Sequence, residues 1–270
     1  MTDFAPYRVP AKGKFKLSKL DPAATPFAHG STKDQEQDLK ALSKKLAQLA
    51  RPLQAEGKRA ILLVLQGMDT SGKDGTTRGV FKYTSPLGVQ VTAFKTPTKD
   101  ELAHDFLWRC HAATPARGDI GIWNRSHYED VLVPVVNGWI NKTTTQQRYA
   151  QLNDFERLLT ENGTTVIKCM LHISKDEQRR RLQERIDVPE KRWKFSLGDL
   201  EVRKQWNAYQ QAYEDMLAAT STAHAPWYII PADDKLHRNL MVNTLLNHTL
   251  QAMQPQYPVD FPELQGLKVE

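Results

Sequence analysis

The segment Ala60-Ile-Leu-Leu-Val-Leu-Gln-Gly-Met-Asp-Thr-Ser-Gly-Lys-Asp-Gly75 decides the fold. Its first six residues are apolar without a break. A strand covered on both faces reads this way, whereas a half-solvated strand alternates. The strand runs straight into Gly67–Gly75, which nearly matches G-x-x-x-x-G-K-[S/T], the Walker A pattern. Gly67, Gly72 and Gly75 let the chain turn tightly, so that successive N–H groups, Ser71 among them, point inward at phosphate oxygens. The helix expected over 73–84 adds its positive N-terminal dipole. Lys73 supplies a mobile point charge for the outer phosphates.

Asp74 stands where such loops carry the hydroxyl that touches Mg²⁺. A carboxylate cannot play that part in the same geometry. Asp69, inside the loop, is the candidate replacement. A carboxylate among phosphates needs a cation beside it, and Mg²⁺ with oxygen ligands fits. A general base toward an attacking phosphate, or a residue that only stabilises the turn, are the alternatives for Asp69.

Outward from this loop, five stretches read as strands: Arg59–Gln66, Val89–Lys95, Ile120–Asn124, Thr165–Ile173 and Trp227–Pro231. Helical patterns fall between and after them, over 98–112, 127–139, 144–162, 175–187, 197–220 and 236–253. Strands alternating with helices predict an α/β fold, a parallel sheet with helices on both faces. Upstream, Ser31 can cap a helix whose first turns carry Asp34, Glu36 and Asp38. Leu39, Leu42, Leu46, Leu49 and Leu53 give that helix one apolar stripe, for the core or for a subunit contact. Residues 31–255 read as one domain. Residues 1–30, with four prolines and no period, read as an irregular basic arm, and 256–270 as a C-terminal tail.

Composition excludes several classes. The 270 residues are 40% hydrophobic and 25% charged, ordinary for a soluble globular protein. The longest apolar run is six residues, against the ~20 that cross a bilayer. MTDFAPYRVP has no apolar core of a secretory signal. Cys110 and Cys169 are the only cysteines, too few for a disulfide scaffold or a four-cysteine zinc site. Reduced, buried thiols in a cytoplasmic protein are expected. The net charge of +6 is concentrated in two places. Residues 1–20 hold Arg8, Lys12, Lys14, Lys16 and Lys19 against Asp3 alone. Residues 179–194 hold seven basic side chains against three acids.

The third strand ends as Ile122-Trp-Asn-Arg-Ser-His-Tyr-Glu-Asp130. Polar residues at the carboxyl end of a parallel strand face the ligand crevice. Arg125 there can clamp a transferring phosphoryl group. Glu129 and Asp130 could hold metal or orient a nucleophile, although Asp130 also suits a solvated helix face. His127 reads as a structural histidine. After the fourth strand, Arg181 and Arg185 share a helix face, and Pro189 and Lys191-Arg-Trp-Lys194 follow. This is a basic lid over about 179–199, or alternatively a charged surface helix laced by Glu177, Glu184 and Asp187.

Together these segments resemble the polyphosphate kinase 2 family. The resemblance covers roughly 35–250 and rests on Gly67–Gly75, on Trp123-Asn-Arg-Ser-His-Tyr-Glu-Asp130, on the lid from Arg181 to Asp199, and on Ala225-Pro-Trp-Tyr-Ile-Ile-Pro-Ala232. It implies a P-loop kinase-like three-layer fold with a central five-stranded parallel sheet and a helical lid. It implies reversible phosphoryl transfer between inorganic polyphosphate and adenine or guanine nucleotides with Mg²⁺ or Mn²⁺. The loop Asp at position 74 is the family's habit. Carried over by position, Asp69, Lys73, Arg125 and Glu129 are catalytic, with Asp69 and Glu129 on the metal. Gly67, Ser71, Gly72, Lys73, Asp74, Gly75, Arg125, Arg181, Arg185 and Lys194 bind phosphate or polyphosphate. Asn124, Arg125, Glu129 and Asp130 bind the nucleotide. Members that use only nucleoside diphosphates typically carry Asn at the Glu129 position, so Glu129 resembles the AMP-competent classes, and class III, which uses both acceptors, most. A homo-oligomer, dimer or tetramer, without nucleic-acid or membrane partners, is expected. An ATP-dependent nucleoside monophosphate kinase and a non-catalytic nucleotide-binding protein are the competing readings.

Overall fold

The computed structural model describes residues 3–11, 13, 15–259 and 261–269; Lys12 and Lys14 of the basic arm lie outside them. At its centre is β1 (Ala60–Gln66), every residue of which is buried. Four further strands, β2 (Val89–Ala93), β3 (Ile120–Asn124), β4 (Thr164–His172) and β5 (Trp227–Pro231), complete a sheet in the order β2-β3-β1-β4-β5. All four pairings are parallel, with Leu65 of β1 opposite Asn124 of β3 and Cys169 of β4. The expected five-stranded parallel sheet is therefore present. The connection from β1 goes to one side and the later strands return to the other. The crevice at the carboxyl ends of β1 and β3 is the switch point where α/β sheets bind ligands.

Ten helices surround the sheet among the described residues: α1 (Thr32–Glu56), α2 (Lys73–Val80), α3 (Lys99–Leu102), α4 (Trp108–Ala112), α5 (Glu129–Val136), α6 (Lys142–Glu161), α7 (Lys175–Asp187), α8 (Leu197–Lys204), α9 (Trp206–Thr220) and α10 (Lys235–Met253). Ser31 caps α1 in a reciprocal capping box with Asp34. The leucine stripe of α1 buries Leu46 and Leu53 completely against the core. Asn243 and Asn247 of α10 donate to Ser43 Oγ (2.7 Å) and the Leu42 carbonyl (3.1 Å), fixing the two helices together.

Four expected helices differ. The one over 73–84 ends early, at Val80. The helix over 98–112 is two short helices, because Asp105 accepts from the Leu107 N–H (2.9 Å) and starts a new turn. The helix over 127–139 begins only at Glu129, after a turn in which Ser126 Oγ accepts from the Tyr128 N–H (3.2 Å), and it ends at Val136, two residues before Gly138 with its positive φ. The helix over 197–220 breaks at Gln205. There α8 is held to α7 by Arg203, which donates to the Lys175 carbonyl (2.6 Å), while α9 turns Trp206, Tyr209 and Tyr213 into the core.

Among its described residues the N-terminal arm has two 3-10 turns, at Ala5–Tyr7 and Leu17–Lys19. It lies along the outer edge of β5. The Val9 N–H donates to the Trp227 carbonyl (2.9 Å), and Val9, Leu17 and Phe27 are buried. This covers a strand edge that would otherwise expose unpaired backbone groups. No helix among the described residues is long and apolar enough to cross a membrane. Cys110 and Cys169 are buried and unpaired, as their number suggested.

One buried charge cluster ties the layers. Lys168, on β4 and without solvent contact, donates to Glu156 Oε2 of α6 (2.6 Å), the Tyr128 hydroxyl (2.8 Å) and the Thr220 carbonyl (2.7 Å). His127 and Tyr128 both meet Glu156 Oε1, at 3.2 and 2.6 Å. All three ammonium hydrogens thus have acceptors. Removing one partner of a buried pair strands the other charge, which costs about 3–5 kcal/mol. Lys168→Met is expected to lower the unfolding free energy by that amount in urea titrations. Lys168→Met with Glu156→Gln is expected to lose less. A loss below about 1 kcal/mol in the single variant would show that the pair is not held this way.

Candidate active site

The loop after β1 needs backbone angles that ordinary residues avoid. Gly67 and Gly72 have φ of 145° and 103°, and Thr70 takes 65° without being glycine. A Cβ on Gly67 would lie 2.6 Å from the Leu171 carbonyl oxygen, so a side chain is excluded there by space as well as by angle. The Ser71 N–H, expected to face phosphate oxygens, instead closes a turn onto the Met68 carbonyl (3.0 Å). Lys73 opens α2 and folds back over the loop, where its Nζ donates to the Gly67 carbonyl (2.8 Å). Burial pulls its ammonium down to about 8, and the charge of Arg125 adds to the effect.

Arg125 follows β3 and also has a left-handed φ, 63°. Its N–H donates to the Leu65 carbonyl (3.1 Å), so the residue sits beside the end of β1. The guanidinium donates to Asp69 Oδ1 (2.8 Å) and stands 3.7 Å from Glu129 Oε2. Backbone strain kept at such a point serves to aim a side chain. Gln66, the last residue of β1, donates to Glu129 Oε1 (3.0 Å). Loop, strand ends and α5 thereby bring Asp69, Lys73, Arg125 and Glu129 into one crevice.

Asp74 has a different environment from Asp69. Asn124 Nδ2 donates to its Oδ1 (2.6 Å) and Lys194 of the lid to its Oδ2 (3.3 Å). Burial alone would push its carboxyl up, but these two bonds outweigh it and hold the group below the ordinary carboxylate range. Asp74 therefore ties the loop to β3 and to the lid. Lys194 ends the 3-10 turn Pro189–Lys194, and Arg185 donates to the Lys194 carbonyl and to Asp199 Oδ2, both at 3.0 Å.

Two expected site residues lie elsewhere. Asp130 is turned away from the loop, into a cleft with Glu101, His104, Phe106, Arg109 and Arg148. It pairs with Arg109 (3.4 Å), and burial raises its carboxyl. Arg181, expected to close on a polymer, is buried behind the loop. Its five donors are all taken: Glu177, the Thr70 and Ser71 carbonyls, and the Ala232 and Asp233 carbonyls. His127 belongs to the buried Lys168 cluster and not to the crevice.

Several neighbours carry no signal of their own in the sequence as site residues. Tyr213 is buried on α9, and burial with the nearby charges of Glu129 and Asp69 raises its phenol well above the ordinary value. Asp199 is raised by burial and by Asp69. Gln178 donates to the Asp69 carbonyl (3.2 Å). These residues come from α7, α8 and α9, far along the chain, and only packing places them here.

A profile of the polyphosphate kinase 2 family matches residues 29–258. The chain belongs to the polyphosphate kinase 2 family. An AMP/ADP-polyphosphate phosphotransferase of Meiothermus ruber is 49% identical over 252 residues, covering 93% of this chain and 94% of that one. An ADP-polyphosphate phosphotransferase of Rhodopseudomonas palustris is 41% identical over 268 residues, with 95% and 92% covered. The crystal structure of polyphosphate kinase 2 from Arthrobacter aurescens TC1 superposes with a TM-score of 0.92 at 43% identity, over 97% of this chain and 94% of that one. The polyphosphate kinase 2 fold is thus shared.

The lowered ionisation of Lys73 predicts, for this polyphosphate kinase 2 family member, a pH dependence of defined sign. In the free protein its charge is present below about 8 and lost above it. Tripolyphosphate affinity measured by calorimetry is expected to fall between pH 7 and pH 9. Lys73→Met is expected to bind more weakly at pH 7 and to flatten that fall. An unchanged fall in Lys73→Met would assign it to another group.

Proposed function

We propose that this chain transfers the terminal phosphoryl group of inorganic polyphosphate to AMP and to ADP, reversibly, as a class III phosphotransferase. The observation that carries the reading is Arg125 bridging Asp69 and Glu129 above the loop lysine. One cation and two carboxylates held at a phosphate cradle suit a reaction between two polyanions. The similarity to relatives named for AMP and ADP use supports the acceptor pair. In this reading residues 31–255 form one kinase-like domain with its lid at about 179–199, flanked by the arm and the tail. A cytoplasmic homo-oligomer remains part of the proposal.

A nucleotide phosphate oxygen attacks the terminal phosphorus of the polymer in line. One P–O bond forms, the bridging P–O bond breaks, and the polymer leaves one unit shorter as an oxyanion. The attacking oxygen is already ionised, so charge repulsion, not proton transfer, is the obstacle. Lys73 and the loop N–H groups hold the transferring phosphate. Arg125 can leave its carboxylates for the phosphoryl oxygens as charge develops there. Arg185 and Lys194 would hold the following phosphates from the lid, with Asn124 on the acceptor side.

Among the described residues no group of three or more His, Cys, Asp or Glu side chains could hold a metal ion. Two hard carboxylates, Asp69 and Glu129, do fit Mg²⁺, which takes one or two carboxylates and completes its shell from substrate phosphates and water. Mn²⁺ accepts the same donors. The bound cation would supply charge neutralisation between donor and acceptor phosphates.

The test is incubation with polyphosphate and AMP or ADP plus Mg²⁺, products being followed by chromatography, with ATP as donor in a parallel arm. Nucleotide phosphorylated from polyphosphate is expected. Transfer to AMP from ATP alone would instead favour a nucleoside monophosphate kinase. Asp69→Asn and Lys73→Ala are expected to cut turnover by about 10²–10³, the effect of losing one preorganised electrostatic group.

Acceptor choice is expected to depend on Glu129. The reactive phosphate of AMP sits one unit nearer the nucleoside than that of ADP, and a carboxylate or its metal can fix it at the shorter reach. Glu129→Asn is expected to depress kcat/KM for AMP about tenfold more than for ADP, a difference of about 1.4 kcal/mol. Parallel losses for the two acceptors would assign Glu129 a general role.

A further inference from the structure

Two buried guanidiniums lie behind the phosphate loop, and the reaction as derived uses neither. Arg181 comes from α7, and Arg238 from the first turn of α10, only 3% exposed. Arg181 donates to the Thr70 carbonyl (2.9 Å) and both arginines donate to the Ser71 carbonyl, at 3.2 and 3.4 Å. Arg238 is steadied by Asn239 Oδ1, which accepts from its Nε (3.2 Å) and Nη2 (3.0 Å). A Cβ on Gly72 would lie 1.9 Å from Arg238 Nη1, and one on Gly75 3.0 Å from Nη2. Gly72 in the loop and Gly75 in the first turn of α2 therefore admit this side chain.

Glu177 balances Arg181, with a 2.6 Å bond. Arg238 has no carboxylate within ion-pair distance among the described residues. Burial pulls its ionisation down to about 9, and the charge of Arg181 adds to this, so it stays cationic at neutral pH. A buried cation with no paired carboxylate, and only the more distant charge of Asp234 to offset it, is costly, and an anion at the loop would relieve it.

We propose that Arg181 and Arg238 are positioning residues that bracket the loop from behind and preset its N–H groups for a phosphate chain. The peptide plane supplies the reason. Its C=O and the next N–H point in opposite directions. Fixing the Ser71 carbonyl outward turns the Gly72 N–H inward, and fixing the Thr70 carbonyl holds the Ser71 N–H on its turn to Met68. Arg181 also joins the loop to the helix that leads into the lid. The inference rests on reading the loop as a phosphate cradle, and it moves Arg181 from the polymer channel to the loop's support.

The test uses Arg238→Met and Arg181→Met, with Arg238→Lys and Arg181→Lys beside them and folding followed by circular dichroism. Two quantities are read: amide hydrogen exchange over residues 67–76 in the free protein, and tripolyphosphate affinity by calorimetry. Faster loop exchange is expected, with affinity lower by about tenfold or more, the effect of a lost charge-assisted hydrogen bond. In turnover assays KM for polyphosphate is expected to rise more than kcat falls. The lysine variants are expected to recover part of the loss, since one ammonium can meet one carbonyl, and they carry the same readouts if a methionine variant does not fold. Arg157→Met removes the same charge from the exposed face of α6 and is expected to change nothing. Folded variants with native loop exchange and native affinity would overturn the bracket. A native protein that does not bind tripolyphosphate would overturn the phosphate reading instead, and loop exchange would still decide the bracket.

Discussion

On the proposed function, a row of backbone N–H groups has to face one hollow at the end of a buried strand, and the rest of the molecule is arranged around that demand. It fixes positive φ at Gly67, Thr70 and Gly72. It places a helix directly after the loop, so that the unpaired amides of its first turn add to the same field. It also requires that the loop's carbonyls find partners outside the hollow. Side chains from α2, α7 and α10 supply these, through Lys73, Arg181 and Arg238.

Charge is managed by pairing within the site. Arg125 lies between Asp69 and Glu129, and Lys194 meets Asp74. Each basic side chain that a polyanion would need is held by an acid or a carbonyl of the protein. A substrate with several phosphates replaces many such contacts at once, whereas a single small anion replaces few. Arg125 achieves its position only with a strained backbone, which the pairing of β3 with β1 imposes on it.

Behind the crevice, the Lys168 cluster supports the turn that aims Arg125 and Glu129. His127 and Tyr128, between those two residues in sequence, both reach back to Glu156 of α6. The turn is thereby fixed from the protein side, and Arg125 and Glu129 face the other way. One motif serves two purposes, with Ser126, His127 and Tyr128 in the core and Arg125 and Glu129 in the crevice.

The strand and loop from Ala60 to Gly75, the five-stranded parallel sheet and the convergence of Asp69, Lys73, Arg125 and Glu129 were legible in the sequence. Strand hydrophobicity and glycine spacing are local properties, and each carries its own physical reason. Helix limits were less so: the breaks at Asp105 and Gln205 depend on a side-chain cap and on which neighbour each half packs against. The place of Arg181 was not legible at all. A basic helix after a phosphate loop looks the same in sequence whether its arginines face a polymer or the loop's own carbonyls. Arg238, Asp199 and Tyr213 reach the site from separate helices, with no spacing that links them to the loop. The sequence determined which groups are chemically able to act, because that follows from residue type and nearby chain. Only the tertiary structure decided which of them are free to act, because that depends on which acceptors the packed helices bring within reach.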